Sequence, residues 1–334
     1  MQSLFPQSEA QAPLIGIAKL AAQGEAISEG HKVEYISLEN RSLLTRCVSP
    51  RMPFYWQINP YRGCEFACKY CYARYTHEFM EMHDGLDFER KIYVKKHSAW
   101  LLRQELRQVR PGQSIAIGTA TDPYQPAERK FEITRAMMEE FARQEGLSLG
   151  LVTKSDLILR DLDLLQLISA KNRLSIHMTI TTTKTDLARI LEPRAPRPDL
   201  RFRAVKKLVE AGISTSVNCA PILPGITDSS KDLESVVRCA AAAGARSVAA
   251  IPLFLKPCSA KVFLPFLEEQ FPHLIPLYQA RYKDRAFLPD DYQKRISTLV
   301  TKLCRKHGMG VRKHESGVPD SKIVASRQLT LFSR

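Results

Sequence analysis

The chain has 334 residues, with 49 Lys and Arg against 35 Asp and Glu and a formal charge of +14. Its composition of 44% apolar and 25% charged residues is globular, which excludes wholesale disorder, a collagen and a coiled coil. The charge favours an anionic partner, nucleic acid first, with a basic surface kept for solubility as the alternative. No stretch approaches the ~20 apolar residues of a membrane span, and residues 1–13 carry no Lys or Arg. The expected setting is cytoplasmic, without membrane contact, where thiols stay reduced.

In chain order, residues 1–50 read as an N-terminal extension, with a helix over 14–23 and an alternating edge strand over 33–38. From residue 55 a regular rhythm sets in. Short apolar runs at 55–59, 114–118, 147–153, 174–181, 213–220 and 247–253 read as strands. Helical patterns at 98–109, 131–144, 157–170, 201–211 and 229–243 separate them. Gly112, Gly146, Gly212 and Gly244 fall just past helix ends, where a left-handed cap favours glycine. The rhythm predicts an α/β fold with a parallel sheet. Six units rather than eight predict an open, partial (β/α)6 barrel of TIM type over residues 51–256. Its ligands would sit on loops at the C-terminal ends of the strands. Residues 257–308 read as a helical C-terminal segment broken by prolines, and 309–334 as a polar tail. Neither a P-loop nor a GxGxxG is present.

Of eight cysteines (47, 64, 68, 71, 219, 239, 258 and 304), three crowd into a C-x3-C-x2-C run at Cys64, Cys68 and Cys71, directly after the first predicted strand of the barrel. The density is too low for a disulfide scaffold. Structural zinc wants four ligands in a closed tetrahedron, whereas a [4Fe–4S] cube normally takes four cysteines. Three thiolates on a cube leave one iron open to a small chelating molecule, which makes the cluster reactive. The competing readings are a Cys3His zinc site completed by His77 or His83, and three inert core thiols. Arg62, Glu65 and Lys69 alongside speak against the last.

The spacing Cys64-x3-Cys68-x-Tyr70-Cys71, with an aromatic before the last cysteine, resembles the signature of the radical S-adenosylmethionine (SAM) superfamily. The resemblance covers roughly residues 50–256. It implies a [4Fe–4S] cluster on the three cysteines, SAM as cofactor or co-substrate, and a reductant such as flavodoxin or ferredoxin. Three stretches are similar to the spore photoproduct lyase subgroup. The first joins Asn59-Pro60-Tyr61-Arg62-Gly63-Cys64 to Cys71-Tyr72-Ala73-Arg74. The second is Thr121-Asp122-Pro123-Tyr124-Gln125-Pro126 with Glu128. The third is Thr153-Lys154-Ser155 with Leu191-Glu192-Pro193-Arg194-Ala195-Pro196.

The resemblance implies roles for single residues. Tyr70, Lys154, Ser175, Glu192 and Gly225 would bind SAM, the last in the Pro221-Ile222-Leu223-Pro224-Gly225-Ile226 loop against adenine. Tyr72 would relay a hydrogen atom. Plainer alternatives stand beside them: a snorkelling lysine for Lys154, a strand hydroxyl for Ser175, a Glu192–Arg194 ion pair, a tight turn at Gly225, a core aromatic for Tyr72. One departure matters. The lyases carry a hydrogen-donating cysteine at the end of strand two, and here Gly118-Thr119-Ala120-Thr121-Asp122 has none. Cys258, just beyond strand six, is the candidate replacement, against a buried bystander.

Two basic groups, Arg194, Arg197, Arg201, Arg203, Lys206 and Lys207, and Arg90, Lys91, Lys95 and Lys96, are candidate phosphate contacts. The tail ends in Gln328-Leu329-Thr330-Leu331-Phe332, which looks like a short motif for docking on a bacterial sliding clamp. The expectation is a radical SAM enzyme acting on nucleic acid in repair or modification. The alternatives are radical chemistry on a protein or small metabolite, and a zinc-stabilised, non-catalytic nucleic-acid-binding module.

Overall fold

The computed structural model of the protein describes residues 14–30, 33–49 and 52–310. Eleven strands lie among them: β1 (Ala26–Gly30), β2 (Val33–Ser37), β3 (Thr45–Arg46), β4 (Trp56–Ile58), β5 (Tyr61–Arg62), β6 (Lys91–Val94), β7 (Ser114–Ile117), β8 (Ser148–Thr153), β9 (Arg173–Thr179), β10 (Ser214–Ile222) and β11 (Val248–Pro252). The larger sheet runs β11-β10-β9-β8-β7-β4-β3. From β4 to β11 its neighbours are parallel and follow chain order, while β3 lies antiparallel to β4 at one edge. Among the described residues β11 has a single strand neighbour, so the sheet is open.

Side-chain alternation explains both faces. In β8, Leu149, Leu151 and Thr153 are buried and alternate with half-buried neighbours. The register sets Leu149 against Leu174, Leu151 against Ile176 and Thr153 against Met178, so one apolar face is continuous across the strands. It shares a core with helices Ile133–Ala142, Leu162–Lys171, Pro198–Glu210 and Ser230–Ala242, through residues such as Phe141, Leu165, Leu208 and Val236. The opposite face carries Gly150, Ser175, His177, Ser214, Ser216 and Asn218, small or polar residues suited to a ligand cavity.

Helix ends follow local chemistry. Ser229 caps Ser230–Ala242 by accepting from the Asp232 N–H at 3.1 Å. The helix expected at 131–144 instead forms two pieces, Glu128–Phe131 and Ile133–Ala142, hinged at Glu132. The Glu128 carboxylate takes the Thr134 and Arg135 N–H groups and so starts the second piece. The C-terminal segment is helical at Pro257–Gln270, Ile275–Tyr282 and Asp290–Lys306.

The second sheet, β1-β2-β6-β5, corrects the sequence reading. Strand β6 lies inside what reads as a basic surface group. Ile92, Tyr93 and Val94 are buried, and Lys95 is buried too, donating from Nζ to the Asn59 carbonyl at 2.6 Å. Among the described residues, no helix is long and apolar enough to cross a membrane. Gln328, Leu329, Leu331 and Phe332 lie outside the described residues.

Candidate metal centre and cofactor site

The chain passes from the large sheet to the small one between β4 and β5, and the cysteine loop begins two residues later. Gly63 makes the turn at φ +82°, where a Cβ would sit 2.7 Å from the Lys91 carbonyl oxygen and 2.8 Å from that of Phe88. Only glycine fits that approach. The Cys64 N–H then donates to the Phe88 carbonyl at 2.9 Å. Gln125, fully buried, braces the other side: its Nε2 donates to the Gly63 carbonyl at 3.1 Å, and its Oε1 accepts the Glu65 N–H at 2.9 Å. The Glu65 carboxylate accepts from Tyr35 OH at 3.0 Å and the Ala127 N–H at 2.7 Å. Farther along, Arg74 donates to the Cys68 carbonyl at 3.0 Å and pairs with Glu89 at 2.7 Å. The Lys69 N–H reaches the Leu191 carbonyl at 3.0 Å, and Ser259 Oγ donates to the Cys71 carbonyl at 2.8 Å. The stretches Asn59–Cys64 and Thr121–Glu128 are thus one structure.

All three thiols belong to one apolar cluster with Phe66, Tyr70, Leu191, Leu223 and Phe263. Cys64 and Cys68 are buried and Cys71 is partly exposed. Burial pushes Cys68 up to about 12 and Cys64 well above its ordinary value. Thiolates here therefore need a bound cation, which a metal cluster supplies. Among the described residues, no three His, Cys, Asp or Glu groups converge to hold one metal ion. The zinc alternative also lacks its histidine. His77 is buried against Phe88 and Tyr93 with Nε2 3.2 Å from the Lys91 carbonyl, and exposed His83 faces Glu81. Three thiols spaced along one braced loop fit a multi-iron cluster, one thiolate per iron, with one iron left for an outside ligand.

Beside Cys68 lies a buried polar network. Tyr70 OH donates to Glu192, and Thr181 Oγ1 donates to the same carboxylate oxygen at 2.9 Å. Arg201 pairs with the other Glu192 oxygen and also holds the Thr179 and Pro196 carbonyls, at 3.1 and 2.7 Å. The ion-pair alternative for Glu192 therefore holds with Arg201 as partner rather than Arg194. Burial alone would raise the Glu192 carboxyl, but Arg201 and Lys154 hold it below its ordinary value. Lys154, at the end of β8, is half-buried with Nζ 5.7 Å from the Tyr70 ring centre. Burial would lower its ammonium, yet Cys68 and Glu192 keep it raised. The Lys154 N–H and Thr153 Oγ1 both donate to Asp122, each at 2.7 Å.

The structure brings Cys64, Cys68, Cys71, Tyr70, Lys154 and Glu192 together at the C-terminal strand ends. Ser175 and Gly225 are placed differently from those six. Ser175 pairs with Gly150 and Ser214 early in β9 and lines a cavity of about 260 Å³ with Arg173, Ser214 and Arg246. Thr179, at the other end of β9, is four residues away, roughly 13 Å at the rise of a strand. The start of β9 is the end of the parallel sheet opposite the one where Lys154 and the cysteine loop meet. Gly225 lies against Leu274, where a Cβ would sit 2.9 Å from the side chain, and Leu274 in turn packs on the thiol cluster. The same turn does send Leu223 and Ile226 into the thiol cluster. Tyr72 follows Cys71 and donates to the Thr119 carbonyl. Cys258 is buried, its Sγ 3.7 Å from the hydroxyl of Ser259, whose other contact is the Cys71 carbonyl. The first basic group is no single face, since Arg201 is buried in its pair with Glu192. Sequence reasoning missed Gln125 and Glu65 as supports, because their partners lie 30 to 62 residues away, and Arg201, whose partner Glu192 lies just past the end of the preceding helix.

A C-terminal-end loop bearing three thiols, on an open parallel sheet wound in chain order, defines a class of enzyme. The sequence profile of the radical SAM superfamily matches residues 58–237, and the chain belongs to that superfamily. It is similar to an uncharacterised Mycobacterium tuberculosis protein, 33% identical over 285 residues, covering 84% of this chain and 83% of that one. An uncharacterised Methanocaldococcus jannaschii protein is 29% identical over 202 residues, covering 59% and 71% of the two chains. Among solved structures it resembles a spore photoproduct lyase variant with bound AdoMet and dinucleoside spore photoproduct, at TM-score 0.63 and 16% identity, covering 83% and 80% of the chains. A second variant of that lyase with the dinucleoside gives 0.64 and 16%, covering 86% of each. This likeness is one of fold.

Proposed function

We propose that the protein is a cytoplasmic radical SAM enzyme with a partial (β/α)6 barrel, acting on nucleic acid in repair or modification. The carrying observation is the braced loop that holds Cys64, Cys68 and Cys71 at the C-terminal ends of the parallel strands. A bound [4Fe–4S] cluster would supply the electron for splitting SAM into methionine and a 5′-deoxyadenosyl radical, the species for hydrogen abstraction from substrate, and Cys64, Cys68 and Cys71 would hold the cluster. The chain's own part is to hold, orient and exclude water. Lys154, kept charged beside Cys68, is the residue for a carboxylate ligand. Glu192, locked by Arg201, orients Tyr70 and thereby the turn into Cys71. Asp122 fixes the Lys154 backbone. The loop after β7 has no cysteine, so the chemistry differs from that of the lyases in its hydrogen donor; Tyr72 and Cys258, both next to Cys71 contacts, are the candidates. A flavodoxin or ferredoxin would supply the electron.

Anaerobic reconstitution tests this reading. Four irons with labile sulfide per chain and slow release of 5′-deoxyadenosine from SAM are expected, both lost on changing any of the three cysteines to Ala. One equivalent of zinc and no sulfide would overturn it. The sliding-clamp reading rests on the sequence of Gln328–Phe332 alone. A peptide of residues 320–334 should bind a bacterial clamp, and Leu331→Ala with Phe332→Ala should abolish that binding; equal binding by both peptides would remove the idea.

A further inference from the structure

We infer that an exposed row of aromatic rings beside Cys71 is a stacking platform for unpaired bases of a nucleic-acid strand. The inference rests on the nucleic-acid reading above and deepens it. Five rings follow one another across the surface. Phe79 meets Tyr75 edge-on with centroids 5.7 Å apart, and Tyr75 lies 6.5 Å from Tyr72 with planes inclined by 23°. Tyr72 lies 6.2 Å from Phe254, which stacks on Phe287 at 4.2 Å and 20°. The row draws on two separate parts of the chain, the turn following the cysteine loop and the segments after β11.

Three of the five rings are exposed, and Tyr75 and Phe254 between them are half-buried. Phe79 is 61% exposed, Phe287 44% and Tyr72 37%. Exposed apolar surface gathered at one place marks a binding site more often than chance. Its position argues for substrate, since Tyr72 directly follows Cys71, the most open of the three thiols. Charge argues for nucleic acid. Lys256 holds its ammonium 3.6 Å from the Tyr75 ring centre and 5.9 Å from that of Phe254, so a cation sits on the row itself. Exposed Lys283 and Arg285 precede Phe287, with Asp284 between them, on a chain of net charge +14. Glu78 is the carboxylate next to Phe79. Rings supply sequence-tolerant stacking and cations supply phosphate contacts, the pairing by which single strands are held. A duplex keeps its bases stacked on each other and offers these rings nothing comparable.

The test uses the reconstituted full-length protein and Phe79→Ala, Phe287→Ala and the double variant. Fluorescence anisotropy reads binding to a labelled single-stranded DNA, a single-stranded RNA and a DNA duplex of the same sequence. Wild type should prefer the single strands. Each Ala variant should bind them roughly fivefold or more weakly, since a base–ring stack contributes on that scale. The salt slope should stay unchanged because no phosphate contact is lost. Uncoupled 5′-deoxyadenosine release and iron content should match wild type. Phe287→Tyr, which keeps a ring, should bind as wild type, and Phe287→Leu, which keeps bulk without a ring, should not; this separates stacking from misfolding. Unchanged strand affinity in the Ala variants overturns the platform while leaving the nucleic-acid reading intact. If those variants also melt lower, the row is covered by another part of the chain. A wild type that releases 5′-deoxyadenosine yet ignores all three nucleic acids overturns both. The better of the DNA and RNA strands identifies the substrate's source.

Discussion

Removing the Arg201 guanidinium tests how the polar network beside Cys68 is held. Arg201 and Glu192 are both buried, and among the described residues no other side chain pairs with the second Glu192 oxygen. Arg201→Met keeps most of the side-chain bulk but strands a carboxylate in a closed site and frees the Thr179 and Pro196 carbonyls. Breaking a buried pair from one side costs about 3–5 kcal/mol. Lys154 still faces Glu192, which puts the expected loss near the lower end of that range. Adding Glu192→Gln should recover at least ~1 kcal/mol of it, because the stranded charge is gone and contacting residues couple on that scale. Urea unfolding followed by far-ultraviolet circular dichroism reads both numbers. Iron per chain should fall in the single variant, since Tyr70 loses the fixed acceptor that sets the turn into Cys71. A loss under about 1 kcal/mol, or a double variant as unstable as the sum of the two singles, would refute the reasoning.

Two further outcomes follow from burial and backbone geometry. Burial holds His77 down to about 4 against an ordinary 6.5. The unfolded chain therefore takes up the proton first, and stability present above pH 6.5 is lost as pH falls toward 4, on the order of 3 kcal/mol from this group. Urea midpoints at pH 7 and pH 4.5 should fall more steeply in wild type than in His77→Asn, and equal slopes would show that the ring is not buried as described. Gly63→Ala should cost about 2 kcal/mol or more and lower iron occupancy, because the new methyl meets two backbone carbonyls. Gly212→Ala shares the positive φ but meets nothing within 4 Å, so it should cost about 1 kcal/mol and leave iron unchanged. Equal iron loss in both variants would mean that strain, not contact with the loop, is responsible.

The parallel strands were legible because each is an apolar run closed by a turn, as at Ser148–Thr153 and Ser214–Ile222. Strand β6 was not, since its three buried residues stand among lysines that read as surface. The cysteines were legible because all three ligands lie on one short segment. The side chains that shape their loop were not: Gln125 is 60 residues from the Glu65 amide it accepts, and Arg201 sits on a helix while Glu192, nine residues earlier, lies just past the end of the helix before it. Ser175 shows a separate limit. Its residue type suits ribose contact, but what a residue of a parallel strand can reach depends on which end it occupies. Ser175 stands near the start of β9, four residues before Thr179 at the C-terminal end.

The crossing from β4 to β5 carries a consequence for how the metal is received. Cys64 hangs from the Phe88 carbonyl on one side and, through Gly63 and Glu65, from Gln125 on the other. Glu65 in turn is tied to Tyr35 on β2. The loop therefore takes its shape only after segments far apart in the chain have met, and closing such long loops is slow relative to local structure. A cluster carrier would meet a finished cradle on a folded protein rather than a flexible peptide. Shortening the N-terminal extension past Tyr35 would leave the Glu65 carboxylate short of a donor and loosen that cradle from a distance, with every cysteine still in place.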